Sequence, residues 1–423
     1  IKSGNITASE TWTNNNVYIL NGWVYVKAGA TVTIQAGTII KGDFASLGAL
    51  IIERDAKLIA NGTADQPIVF TSQKSVGQRS YGDWGGIIIC GRASVNAPAN
   101  VSLGTAQGEA VIEGGVGTFY GGGLTPNDDD SSGVLRYVRI EYPGIAFQPN
   151  SEINGLTCGG VGRKTVLEHI QVSYCGDDAY EFFGGSVNAK YLIAWKTQDD
   201  DFDTDNGFSG KIQFGITVRD SAVADISKSE AFESDNDANG STLTPQTTAV
   251  FSNMTIIGPR ATTTNVGNSL YLAAAQIRRN SSLSIFNSIF MGWPQGLLID
   301  ASKGTPTDAN IPNNLFVQGT IIAGTAAPVK YAASPTTPTG ANDASILAWF
   351  NTAAYGNTIL ANNDDVKLGA AFNYANPDLT PQAGSPALSG AVFTNARLNG
   401  LTTVSYRGAV GPNDTWYKGW TKF

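Results

Sequence analysis

The stretch GDDAYEFFGG at 176–185 returns 22 residues later as QDDDFDTDNG at 198–207. In each copy an Asp pair is followed by one residue, an aromatic and a carboxylate. Asp177 therefore matches Asp199, Asp178 matches Asp200, Tyr180 matches Phe202 and Glu181 matches Asp203. A repeat near 20 residues holds only short strands and turns, so one copy cannot bury its own apolar face and must stack on its neighbours. A looser third copy, SEAFESDND at 229–237, brings Glu230, Phe232 and Glu233 toward the same columns, with Asp235 and Asp237 beyond.

The same design extends outward in both directions. TVTIQAG (31–37), ALIIERD (49–55), PIVFTSQ (67–73) and GGIIICG (85–91) are short alternating runs between Gly, Asn or Asp turns. The apolar pairs Val32/Ile34, Leu50/Ile52 and Ile68/Phe70 recur every 18 residues, with Ile87/Ile89 one residue late. Later runs, from VLRYVRIEY (134–142) through VLEHIQVSY (166–174) to VQGTIIAG (317–324), keep the pattern at wider spacing. These features predict an all-β, single-domain, right-handed parallel β-helix with apolar ladders inside and rows of like side chains outside. Successive coils lie ~4.8 Å apart. Residues 1–30 are expected to cap one end, 31–330 to form the helix with a main insert at 96–132, and 331–423 to cap the other end. Within the last region, ANDASILAWFNTAAYG (341–356) predicts a short helix with Asn342 or Asp343 as N-cap and Gly356 as its stop.

Composition narrows the function. Forty-nine glycines and only 15% charged residues suit many turns and short strands. The formal charge of −8 argues against nucleic acid as partner, and no apolar run is long enough to span a bilayer. The chain starts at Ile1 without Met or signal peptide, as a processed secreted protein or a trimmed chain would. Cys90, Cys158 and Cys175 have no metal-ligand spacing; a Cys158–Cys175 bridge and buried free thiols are both open. One histidine, His169, argues against a Ser-His-Asp triad or a His-rich metal site and reads as a wall or core residue of a strand.

Between 177 and 237 lie 14 acidic and five basic residues, a difference of −9 that covers the whole net charge. Carboxylates stacked one coil apart repel by ~1 kcal/mol in water and by more where water is excluded. A hard cation removes that cost. Ca²⁺ accepts six to eight oxygens at ~2.4 Å and tolerates irregular geometry, so the candidate ligands are Asp177, Asp178, Glu181, Asp199, Asp200, Asp201, Asp203, Asp205, Glu233, Asp235 and Asp237. The competing reading is a solvated acidic face. DFDTDNG lacks the Glu and the flanking helices of an EF-hand.

On these motifs the chain resembles the pectate-lyase-like superfamily of parallel β-helices. GATVTIQAGTIIKG, GDWGGIIICGRA, the two acid repeats and the closing RGAVGP…W…GW resemble secreted or surface-anchored bacterial proteins common in Bacteroidota and often lipid-anchored. DDDFD at 199–203 is similar to the DDGFD calcium motif of family-nine pectate lyases, with Asp201 in place of the Gly. The similarity implies Asp177, Asp199, Asp200 and Asp203 as calcium ligands. It further implies a Lys or Arg base that removes the proton alpha to a uronate carboxylate, for which Lys228 is the first candidate, followed by Lys196 and Lys211. Tyr120, in the Gly loop TFYGGG, is the first candidate sugar platform; Trp84 and Trp293 are further candidates, with strand-edge packing as their competing reading.

The expectation is a secreted or cell-surface Ca²⁺-binding β-helix, facing the exterior, with a lipid anchor upstream of Ile1 as one option. It would bind an extracellular glycan or build a surface complex without catalysis. The rivals are a Ca²⁺-dependent polysaccharide lyase and a pure scaffold or adhesin.

Overall fold

The computed structural model describes residues 1–148, 151–260, 264 and 267–423. The fold is a parallel β-helix, and the chain forms two compact units: Ile1–Gly210 with Tyr417–Lys422, and Lys211–Trp416 with Phe423. No helix among the described residues is long and apolar enough to cross a membrane.

In the first unit one inner ladder runs through six strands. Val24, Leu50, Ile87, Leu156, Tyr180 and Phe202 are successive register partners, and all are fully buried. Tyr180 and Phe202 stack with ring centroids 5.1 Å apart, as the sequence repeat requires. Strand alternation then turns the next residues outward, giving the column Tyr25, Ile51, Ile88, Thr157, Glu181 and Asp203. That column begins apolar and ends acidic. The insert covers its apolar part: Ile112, Val116 and Tyr120 are buried with Ile51, Ile88 and Cys90.

The 18-residue spacing turns out to have a different meaning from the one read in the sequence. Val32 is the partner of Glu10 and Leu58, Leu50 of Val24 and Ile87, and Phe70 of Ile40 and Ile140. A full coil includes several strands and the turns between them. Neighbouring apolar pairs in sequence therefore occupy different walls instead of stacking on one another. The first residues also wind as strands: Lys2–Ile6, Glu10–Trp12 and Val17–Val26 all pair in parallel.

Two outer columns sit on left-handed backbone. Tyr137, His169 and Tyr191 have φ of 49°, 53° and 60°, and the strand pairing skips each of them. Such a conformation costs roughly 1 kcal/mol per residue. The stack of Tyr137, His169 and Tyr191, at 4.4 Å per step, offsets part of that. Trp420 of the tail meets the stack edge-on, and Gln171 clamps the Lys422 backbone through both its N–H and its carbonyl. His169 is thus a wall residue, and burial lowers its pKa. Tyr142 and Tyr174 form the second stack, 5.0 Å apart, with the Lys196 ammonium 6.0 Å from the Tyr174 ring. The three cysteines are buried free thiols.

In the second unit the strand Val250–Ile257 pairs in parallel with Lys211–Val218, Ser284–Phe286 and Ile289–Met291. Phe232 is fully buried against Phe251. The expected helix spans Asp343–Phe350 and is capped by Asn342 in a box with Ser345; Ile346 and Phe350 face inward. Gly356 follows in the left-handed region after a short 3-10 turn.

Leu156 sits between Ile87 and Tyr180 in the inner ladder, so Leu156→Ala leaves a cavity in the stack. It should cost about 2–5 kcal/mol, read as a lowered midpoint in urea unfolding; a loss under 1 kcal/mol would contradict the ladder.

Candidate metal centre

The acid turn is seated on backbone. Asp178 donates its N–H to Asn154 Oδ1 (3.2 Å), and its carbonyl accepts from Gly155 N (2.8 Å) and Cys175 Sγ (3.0 Å). One coil on, Asp200 donates its N–H to Asp178 Oδ1 (2.8 Å) and accepts from Ala179 N (2.9 Å). Close packing at this corner requires Gly176, where a Cβ would fall 2.6 Å from the Gly144 carbonyl oxygen. The strands Tyr180–Phe183 and Phe202–Asp205 then set Glu181 directly beside Asp203.

Within the first unit two groups of carboxylates result. Oxygens of Asp177, Asp178 and Asp199 lie within 4.8 Å of one another, and so do those of Asp178, Glu181 and Asp203. Two oxygens bound at ~2.4 Å on opposite sides of one ion are about that far apart. Asp178 is 7% exposed and Glu181 4%. Glu181 Oε2 accepts from Asn154 Nδ2 at 3.2 Å, while Oε1 is buried with no hydrogen-bond partner among the described residues. Burial first, and then Asp177, Asp199 and Asp203, push the Asp178 pKa well above the carboxylate range. Burial and the Asp203 and Asp178 charges do the same to Glu181. At this spacing each like-charge pair is opposed by roughly 3 kcal/mol at an effective dielectric near 20. The donor set is all oxygen, which suits a hard divalent cation rather than zinc or copper.

The remaining expected ligands divide by location. Asp201 is fully buried, and Asp205 accepts the Asn206 N–H within its own turn; both stand outside these two groups. Glu233, Asp235 and Asp237 lie in the second unit. There Arg278 pairs with Glu233 and Asp235, and Arg279 with Asp235. Asp237 accepts from Asn239 N, Ser241 N and Ser241 Oγ. Arginines and turn donors, 2 to 45 residues away, are thus the partners these three carboxylates have here.

The proposed base and sugar platform also take different settings. Lys228 is exposed on the turn capped by Asp225. The Lys196 ammonium lies over the Trp195 and Tyr174 rings, and Lys211 Nζ donates to the Asn399 carbonyl at 2.7 Å. Tyr120 is not an exposed ring: it is 3% exposed, stacks on Phe183 at 5.8 Å and accepts from Asn206 Nδ2. The hairpin Ala110–Val111 and Phe119–Tyr120 folds back on the apolar column and buries it. Trp84 and Trp293 are fully buried packing residues.

Sequence reading missed Asn154 and Glu113. Asn154 is 1% exposed and donates to both Glu181 Oε2 and Glu113 Oε1 (3.3 Å). Neither lies in an acid repeat. Only the Asn-Gly step one coil before Asp178 hinted at a special corner.

A family model described as a pectate-lyase like beta helix domain matches residues 4–370. No curated protein matches the sequence. Among solved structures, the A-module of the Azotobacter vinelandii mannuronan C-5 epimerase AlgE6 is similar at 11% identity, covering 85% of this chain and 86% of its own, with a TM-score of 0.22. A score that low carries no argument about this chain.

The raised carboxyls set a pH dependence. Asp178 and Glu181 hold protons more tightly folded than unfolded, so their contribution is complete below about pH 4 and is lost as pH rises through their raised folded values. In chelator, the melting temperature should fall as pH rises above about 4. The Asp178→Asn, Glu181→Gln double variant should flatten that profile, and a profile equally steep in the variant would refute the assignment.

Proposed function

The chain belongs to the pectate-lyase-like β-helix family, and from that premise we propose that it is a non-catalytic calcium-binding β-helix. The observation that carries this reading is the Asp178–Glu181–Asp203 group on two successive coils, with a buried Glu181 oxygen that lacks a hydrogen-bond partner among the described residues. Calcium is favoured over magnesium because the oxygens come from an irregular corner, whereas magnesium demands near-octahedral geometry and keeps its water. Asp177 and Asp199 extend the oxygen set toward the outside.

The chemistry suits the cell exterior, where calcium modules work at Kd values of roughly 10⁻⁴–10⁻³ M. The proposed setting is a secreted or surface-anchored protein of the Bacteroidota type, with an extracellular glycan or a surface protein complex as partner. The absence of turnover is inferred from the lysines: Lys196 lies over aromatic rings, Lys211 is tied to a carbonyl and Lys228 rides an exposed turn.

Calcium at a hundredfold excess over its Kd should stabilise the fold by about 2.7 kcal/mol, seen as a raised melting temperature that chelator reverses. Asp203→Asn should lose most of that gain, and a wild-type protein indifferent to calcium and chelator would overturn the reading. An acidic polysaccharide incubated with the protein and calcium should yield no unsaturated product; steady ultraviolet-absorbing product that Lys228→Ala abolishes would establish the lyase instead.

A further inference from the structure

The insert reaches the acid corner. Its hairpin is pinned on both sides: Tyr25 Oη donates to the Val116 carbonyl at 2.9 Å, Ile112 and Val116 are buried with Ile51 and Ile88, and Tyr120 is held by Phe183 and Asn206. Glu113 lies between these anchors and is exposed. Just after it, Gly114 and Gly115 take left-handed φ of 68° and 72°, which fold the turn back.

A single amide nitrogen joins Glu113 to the centre. Asn154 Nδ2 donates to Glu113 Oε1 at 3.3 Å and to Glu181 Oε2 at 3.2 Å. Two carboxylates thus approach one neutral donor. An amide shared in this way cannot neutralise either group. The other Glu181 oxygen is buried without a hydrogen-bond partner among the described residues. A cation in reach of Glu181 would attract both carboxylates and relieve the repulsion between them.

We propose that Glu113, which stands outside the Asp178–Glu181–Asp203 group in this structure, turns in as a further ligand of the cation held there, so that metal binding fastens the 110–120 hairpin to the β-helix. This rests on the metal reading above. The insert then brings in an oxygen that the coils do not carry, and closure of the corner depends on the ion. Asn154 is the positioning residue that holds Glu113 near the site before the ion arrives.

Calcium titration by calorimetry on the wild type, Glu113→Gln and Glu181→Gln, with amide hydrogen exchange over 110–120, tests this. Glu113→Gln should weaken binding about tenfold, within the range seen when metal-supporting groups are removed. Calcium should slow exchange in the wild-type hairpin and not in Glu113→Gln. Glu113 is exposed, so the variant should fold. If Glu181→Gln abolishes binding while Glu113→Gln keeps wild-type affinity or wild-type calcium protection, the Glu113 assignment is wrong and the metal centre stands. A wild type that takes up no calcium removes both.

Discussion

Parallel coils place each side chain on its register partner about 4.8 Å away. That stacking is the constraint from which the rest of this protein follows. Like on like is favourable for apolar groups and rings, and unfavourable for charges. The inner ladder from Val24 to Phe202 exploits the first case. The acid corner at Asp178, Glu181 and Asp203 runs into the second.

The outer column of the first unit shows how one surface handles both. Tyr25, Ile51 and Ile88 would be an exposed apolar stripe, and the insert hairpin covers it with Ile112, Val116 and Tyr120. Glu181 and Asp203 continue the same column as stacked carboxylates. Protonation or a shared cation is then the available compensation, and at neutral pH the cation is the one that leaves the groups ionised. The second unit meets a similar concentration of acid with Arg278 and Arg279 on Glu233 and Asp235. Two acid-rich segments of similar spelling therefore have different neighbours.

Left-handed residues give the outer wall a second regularity. Tyr137, His169 and Tyr191 leave the pairing at equivalent places and stack outside it, where Trp420 closes over them. The single histidine is consumed in this wall. In the second unit Asn253 donates to the Tyr406 carbonyl and Asn287 exchanges hydrogen bonds with Val392, so amides at left-handed positions hold the tail there.

Much was legible from the sequence because a coil repeat writes its register into residue spacing. The 22-residue offset placed Tyr180 on Phe202 and Glu181 beside Asp203, and the capping residues marked the helix at Asp343–Phe350. Local pattern determined these, since stacking of successive coils needs no distant partner. The 18-residue spacing misled for a related reason: periodicity reports recurrence and not the wall on which a strand lies. Burial of Tyr120, pairing of Glu233 and Asp235 with arginines, and the meeting of Glu113, Asn154 and Glu181 were decided only by tertiary structure. Each depends on a loop or coil folding back from 24 to 86 residues away, and side-chain reach across such distances leaves no periodic trace in the chain.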